Sequence, residues 1–282
     1  AKPKLALIPA AQGSKFYSVL PSSGVGDFDF TRSGSATRIN SQGLIETVGN
    51  GVSRLNYPLI DGKVVGCPSH LLEDESRNLV QYSEDFTQSY FTKIRSSILS
   101  NQIISPDGTL NADKLIEDSN IITTHYLLSP KNATAGTWTA SVFVKKAERE
   151  FFEIYNYNTT LGVFNRTYFD LENGVVVSGN GKIEDFGNGW YRCSLTSTLT
   201  QTSRFDFLLS KDGITDNYTG DGTSGIYIWG AMLEQQDFVT SYIPTTTSSA
   251  TRSAETANDS GDADTFNDSE GVLMAEISAL DN

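Results

Sequence analysis

The sequence predicts an all-β fold, an antiparallel β-sandwich of the jelly-roll type preceded by an irregular region of short strands. Three observations lead there. Phe (15), Tyr (12) and Gly (24) are abundant while Met and His number 2 each, a balance that suits pleated strands and turns better than helices. Apolar and polar residues alternate with period two in several segments between residues 78 and 244, as half-buried strands require. Asp-Gly and Asn-Gly signals, which supply the positive φ of tight turns, fall between those segments.

Taken in order, residues 1–77 hold short β-like pieces, FYSVL (16–20), FDFTR (28–32) and GLIETV (43–48), separated by turn residues. They are too short for a large core, so this region is expected to gain order by packing on sister chains or on a larger assembly. Residues 78–244 carry the sandwich. In Trp138–Lys145, Trp138, Ala140, Val142 and Val144 fall on one face while Thr139, Ser141 and Lys145 fall on the other, which predicts a half-buried strand. Phe205, Phe207 and Leu209 alternate with Asp206 and Ser210 in the same way. The last strand is expected to be buried on both faces, with Ile226, Ile228 and Met232 opposite Tyr227 and Trp229. SPDGT (105–109), ENG (172–174) and GNG (187–189) punctuate the strands.

After Pro244, residues 245–269 are a Ser/Thr/Asp/Ala stretch expected to be a polar linker. Residues 270–282 open a further β domain, with EGVLMAEISAL as its first strand. Ser35-Ala36-Thr37-Arg38 is echoed by Ser249-Ala250-Thr251-Arg252, a match too short to define a repeat.

Net charge and targeting signals narrow the function. A formal charge of −13 and a pI near 4.6 oppose binding to nucleic acid or to an anionic membrane surface. No apolar stretch approaches the roughly 18 residues of a membrane span, and the first residues lack the pattern of a signal peptide. Synthesis in a host cytoplasm without ordinary secretion is therefore expected. Cys67 and Cys193 have no CxxC spacing, and whether they pair is left open.

Candidate chemistry centres on Glu150–Asn158. There Phe151, Glu153, Tyr155 and Tyr157 share one face, and Phe152, Ile154 and Asn156 the other. Flat aromatics beside a carboxylate suit the C–H faces and hydroxyls of sugars, although packing between two sheets would use aromatics equally well. Trp190 is a further glycan-binding candidate. Asp212, Asp216 and Asp221, in the loop 211–223, offer oxygen ligands for a structural Ca²⁺ without the spacing of an EF-hand. No other cofactor is expected.

No catalytic residue is assigned. Glu73, Asp74 and Glu75 diverge as neighbours, and Asp170 with Glu172 would share one strand face at close to the separation hydrolysis needs, a pairing that arises often by chance in an acidic chain. GxSxG, HExxH and P-loop motifs are absent, and His70 and His125 stand in no motif.

SGSATRINSQGLIETV (33–48), RLNYP (54–58), LLEDESRNLVQYSEDF (71–86), SPDGT, GNGWYR (187–192), YIWGAMLEQ (227–235), TSYIPT (240–245) and the second SATR occur in this order over about 240 residues. Together they resemble a family of bacteriophage structural proteins, the tail or head fibre and spike proteins. The resemblance implies an N-terminal virion-proximal stretch, a jelly roll like those of carbohydrate-binding modules and, often, a concanavalin-like domain behind it, of which residues 270–282 would hold at most the start. It further implies a homotrimeric virion surface appendage, bound through residues 1–77 to other virion proteins and meeting a host cell-surface glycan. The expected function is thus non-enzymatic host adhesion. Two alternatives stay open: a tail-spike polysaccharide depolymerase, and a purely architectural capsid or collar decoration.

Overall fold

The structure is a computed structural model describing residues 3–119, 122–158, 164–200, 202–266, 272 and 274–277. Among the described residues there is no helix, and the strand pairings of the larger sheets are antiparallel. The chain divides into two compact units, one of Ala1–Pro58, Val64–Glu75 and Arg252–Asn282, the other of Leu59–Lys63 and Ser76–Thr251.

The larger unit is the predicted β-sandwich. Its first sheet runs in the order Thr92–Ile94, Thr123–Ala133, Ser203–Ser210, Phe151–Asn158, Phe164–Asp170, Val175–Ser178, with Asn217–Tyr218 added beside Thr123–Ala133. The second runs Ser96–Ile104, Leu110–Glu117, Gly225–Glu234, Gly136–Lys146, Trp190–Leu199, Lys182–Asp185. Side chains from the two inner faces make one core, in which Phe152, Phe169 and Phe207 of the first sheet join Val142, Leu195 and Ile228 of the second. All six are at most 2% exposed, and rings of this size dominate the apolar area removed from water. The turn signals hold their expected places: Gly108, Gly174, Asn188 and Gly189 all have positive φ.

Two strands depart from the predicted pattern. Trp138, Ala140, Val142 and Val144 face the core as expected, but Thr139, Ser141 and Phe143 on the other face are also fully buried. Later parts of the chain cover that face. Thr139 Oγ1 donates to the Gln236 carbonyl at 2.9 Å, and the Phe143 ring meets Phe186, Trp229 and Tyr242 at centroid distances of 4.8, 5.3 and 5.9 Å. In Gly225–Glu234 both faces are buried as expected, but Met232 does not share the face of Ile226 and Ile228. A register shift against Ser141–Phe143 coincides with Gly230 at φ +65°. This bulge reverses the alternation, so Ala231 and Leu233 continue the core face, while Met232 lies with Trp229 on the covered side.

The smaller unit holds a four-stranded sheet ordered Ala6–Gln12, Lys15–Leu20, Phe28–Thr31, Thr256–Asn258, with the pairs Ala36–Ile39/Ile45–Val48 and Arg54–Asn56/Ser69–Leu71. Its middle is ionic. Glu255 accepts from Arg32 Nη1 at 2.7 Å, from Arg54 Nε at 2.8 Å and from the Glu73 amide at 3.0 Å. Arg54 Nη2 donates to Glu73 at 2.7 Å, and Arg252 Nε lies 3.4 Å from the same carboxylate. None of these five side chains is more than 3% exposed. Residues 250–258, expected within a polar linker, therefore contribute strands and two buried charges. Of the strand expected at 270–280, residues 270, 271, 273 and 278–280 lie outside the described residues, and 274–277 form no strand.

Candidate glycan-binding face

The outer face of the first sheet follows from alternation in three adjacent strands. In FFEIYNYN (151–158), Phe152 and Ile154 enter the core, which turns Glu153, Tyr155 and Tyr157 outward. Cross-strand partners share a face. Glu153 pairs with Tyr168 on one side and Leu208 on the other, Tyr155 with Arg166 and Asp206, and Tyr157 with Arg204. Three tyrosines, two arginines and two acids are thereby gathered on one surface.

The contacts are tight. The Tyr155 and Tyr157 rings lie 6.1 Å apart at 10°. The Arg166 guanidinium sits 5.1 Å from the Tyr155 centroid and 5.8 Å from that of Tyr168, and Arg204 sits 5.1 Å from that of Tyr157. Arg166 Nη1 donates to the Tyr168 hydroxyl at 2.6 Å and to Asp216 at 3.2 Å, and its Nε lies 3.4 Å from Glu153. Arg204 Nε donates to Asp206 at 2.7 Å.

The two acids are unusual. Glu153 is 0% exposed and, among the described residues, neither carboxylate oxygen accepts a hydrogen bond. Burial pushes it up to about 8 against the opposing charge of Arg166, with Asp216 adding to the rise. Asp206, 1% exposed, is pushed up to about 6 by burial, which the hydrogen bond and charge of Arg204 counteract. Burial likewise raises Tyr168, to about 12.

Of the residues singled out from sequence, Glu153, Tyr155 and Tyr157 come together here. Phe151 shares their face but lies at its end, beside the turn after Ser210, where its ring leaves no room for a side chain at Gly213. Trp190 is not part of the site. It belongs to the second sheet, is 2% exposed, and its indole N–H donates to the Ile104 carbonyl at 3.0 Å.

The three aspartates do not form the expected calcium set. Asp212 accepts from the Ile214 and Thr215 amides at 3.1 and 2.6 Å, closing a turn. Asp221 accepts from the Thr223 and Ser224 amides and the Ser224 hydroxyl, hydrogen bonds that hold it well below the usual carboxylate range. Asp216 faces Arg166. Each is engaged with a different donor, and among the described residues no group of three or more His, Cys, Asp or Glu is placed to hold a metal ion.

The carboxylate pair weighed for hydrolysis is also engaged. Asp170 accepts from the Glu172 and Asn173 amides at 2.9 and 3.0 Å, and Glu172 pairs with Lys146. Cys67 and Cys193 are both free thiols, the first exposed and the second buried.

Sequence reasoning missed Arg166, Tyr168, Arg204 and Asp206 as site residues. In RFDFLLS (204–210) the signal was present, since Arg204 and Asp206 are flanked by core Phe205 and Phe207, whereas in FNRTYFD (164–170) only Tyr168 borders a core ring, Phe169.

No protein-family model matches the chain, and no curated protein matches it. Several solved structures are similar. One holds the CBM22-1 and GH10 modules of a Clostridium thermocellum endo-1,4-β-D-xylanase complexed with xylohexaose, at TM-score 0.37 and 13% identity over 61% of this chain and 30% of that one. A second is the enzymatically active domain of tailspike protein 4 of bacteriophage CBA120, at TM-score 0.33 and 10% identity over 55% and 21%. A third is a carbohydrate-binding module of a Cellvibrio mixtus lichenase in complex with cellotriose, at TM-score 0.30 and 7% identity over 59% and 99%. The chain spans under a third of the length of the first two. The sandwich itself rests on the strand order and register given above.

Proposed function

We propose that this protein binds glycans without cleaving them, through the outer face of the sheet centred on Phe151–Asn158, and that it serves as a surface appendage of a bacteriophage virion. The observation carrying the binding role is the convergence of Tyr155, Tyr157, Tyr168, Arg166, Glu153 and Asp206 on one face, made by register among three strands. Rings with hydroxyl tips, guanidiniums and buried acids supply both apolar contact and directional hydrogen bonding, the two requirements of sugar recognition. The phage setting is supported by the order of motifs from SGSATRINSQGLIETV to the second SATR. A homotrimer attached through residues 1–77 fits that setting, because repeated copies turn weak single-site affinity into firm adhesion.

A glycan array probed with the wild-type chain and with Tyr155→Ala and Tyr157→Ala tests the binding role. Binding is expected for the wild type and lost in both variants. Retention by both, or no binding at all, overturns it and favours an architectural part. Incubating the protein with any glycan it binds and measuring new reducing ends tests the absence of cleavage, because a steady rise would identify a depolymerase. Light scattering tests the trimer against the chain mass of 30.7 kDa.

A further inference from the structure

The tyrosines of this face do not offer bare rings. Tyr155 and Tyr157 stand parallel to each other, and a guanidinium lies against each, Arg166 on Tyr155 and Arg204 on Tyr157. The rings are half-buried, and the two arginine side chains keep 28% and 25% of their surface in solvent. The part of this face that remains in solvent therefore includes guanidinium surface, which carries N–H donors. Donors in a fork match ligands rich in acceptor oxygens, above all planar carboxylates and sulfates. Beneath them Glu153 is fully buried and faces the same side, where its charge is answered by Arg166 at 3.4 Å and by the Tyr168 hydroxyl.

We infer that this face recognises an anionic saccharide, one bearing carboxylate or sulfate groups, with Arg166 and Arg204 as the anion-reading residues and Glu153 present as the neutral acid when Arg166 engages the ligand. The inference rests on the glycan-binding role of the same face and names its ligand class. In the unliganded protein Arg166 serves Glu153 and Asp216. When a ligand carboxylate takes the guanidinium, an ionised Glu153 would be left as a buried like charge beside it, and protonation removes that repulsion. The groups facing Glu153 are Arg166 and Tyr168 from the next strand, Asp206 from the strand on its other side, Tyr155 from its own strand, and Asp216. Of these, Asp206 titrates near 6, while Tyr155 and Tyr168 are pushed above the ordinary tyrosine range. Between pH 7 and 9 Glu153, at about 8, is the member whose proton changes.

Calorimetric titration of the full chain with a tetra-uronate, a sulfated tetrasaccharide and a neutral tetrasaccharide of like linkage, at low salt, tests this. At pH 7 at least one anionic ligand is expected to bind about tenfold more tightly than the neutral one, the worth of a single charge-assisted contact, and which of the two binds identifies carboxylate or sulfate as the group read. Arg204→Gln and the charge-conserving Arg166→Lys should each remove about that factor. Wild-type affinity should fall from pH 7 to 9, and Glu153→Gln should flatten the fall. Equal or tighter binding of the neutral ligand, lost in Tyr155→Ala, overturns the anionic class while leaving glycan binding intact. Absence of binding to any of the three and to a glycan array overturns both. A fall that persists unchanged in Glu153→Gln overturns the proton coupling.

Discussion

Replacing Glu255 by Gln should loosen the smaller unit far more than a surface change of the same size. Glu255 is the common acceptor for Arg32 and Arg54 and also receives the Glu73 amide. Of the five charged members of that cluster, three are guanidiniums. Glutamine keeps the volume and one acceptor oxygen but removes the carboxylate charge that pairs with Arg32 and Arg54. Removing one partner of a buried pair costs about 3–5 kcal/mol, and the retained acceptor places this variant near the lower end, at about 3 kcal/mol. Because every member is buried, the cost should be nearly independent of salt. Tryptophan fluorescence does not report on it, since Trp138, Trp190 and Trp229 all belong to the other unit. Amide hydrogen exchange in Phe28–Thr31 and Thr256–Asn258, which pair with each other, is the suitable assay. Exchange there should accelerate roughly 100-fold in Glu255→Gln. Thr256→Ala, which removes an exposed hydroxyl contact to Thr31, should change it by less than about threefold. Protection in Glu255→Gln indistinguishable from wild type would refute the view that the ionic cluster holds this unit together.

Three further outcomes follow from the larger unit. Glu153 and Asp206 bind protons more tightly folded than unfolded, so their contribution to stability is complete below the ordinary carboxylate range and is lost as pH rises through about 6 for Asp206 and about 8 for Glu153. The unfolding free energy from urea titration followed by tryptophan fluorescence should therefore decline from pH 5 to 9 by about 3–5 kcal/mol, and a flat or rising profile contradicts it. In native protein a thiol reagent should modify exposed Cys67 rapidly and buried Cys193, whose thiol burial pushes well up, only after denaturation; prompt reaction of both is the contrary result. Gly225→Ala should destabilise the sandwich by about 1–3 kcal/mol, because an added Cβ would stand 1.9 Å from the Leu115 carbonyl oxygen of the neighbouring strand, and an unchanged urea midpoint would count against that contact.

Local alternation made the sandwich legible, and the limits of alternation explain what was not. The strand from Phe151 and the strand from Ser203 were readable because each inward ring is followed by an outward polar or amphipathic residue. Thr139 and Ser141 carry the same pattern as a solvent-facing edge, yet a covering segment near Gln236 buries them, and nothing in their own sequence announces the cover. Gly230 reverses the alternation within one strand, a change that periodicity alone assigns to the wrong residue, as happened for Met232. Residues 250–258 read as a connector because they are polar. Their partners Arg32 and Arg54 lie more than 200 residues away, so composition records the charges but not their pairing.

For the site, the sequence supplied one strand and the register supplied the others. Tyr155 has meaning as a binding residue only once Arg166 and Asp206 are known to flank it, and no spacing in the sequence fixes that register. Aromatic content also misled, since Trp190 is as aromatic as Tyr157 but lies in the other sheet, on a strand whose outward residues such as Arg192 are buried. The two sheets are in fact unequal. Phe143, Trp229 and Tyr242 close the outer face of one in a continuous ring cluster, whereas the outer face of the other keeps half-exposed tyrosines and arginines over two buried acids. Burying a carboxyl group such as Glu153, pushed up to about 8 by its burial, costs stability, and packing alone gives no reason to retain it. A face that accepts that cost while leaving its donors in water is where a ligand would restore the balance.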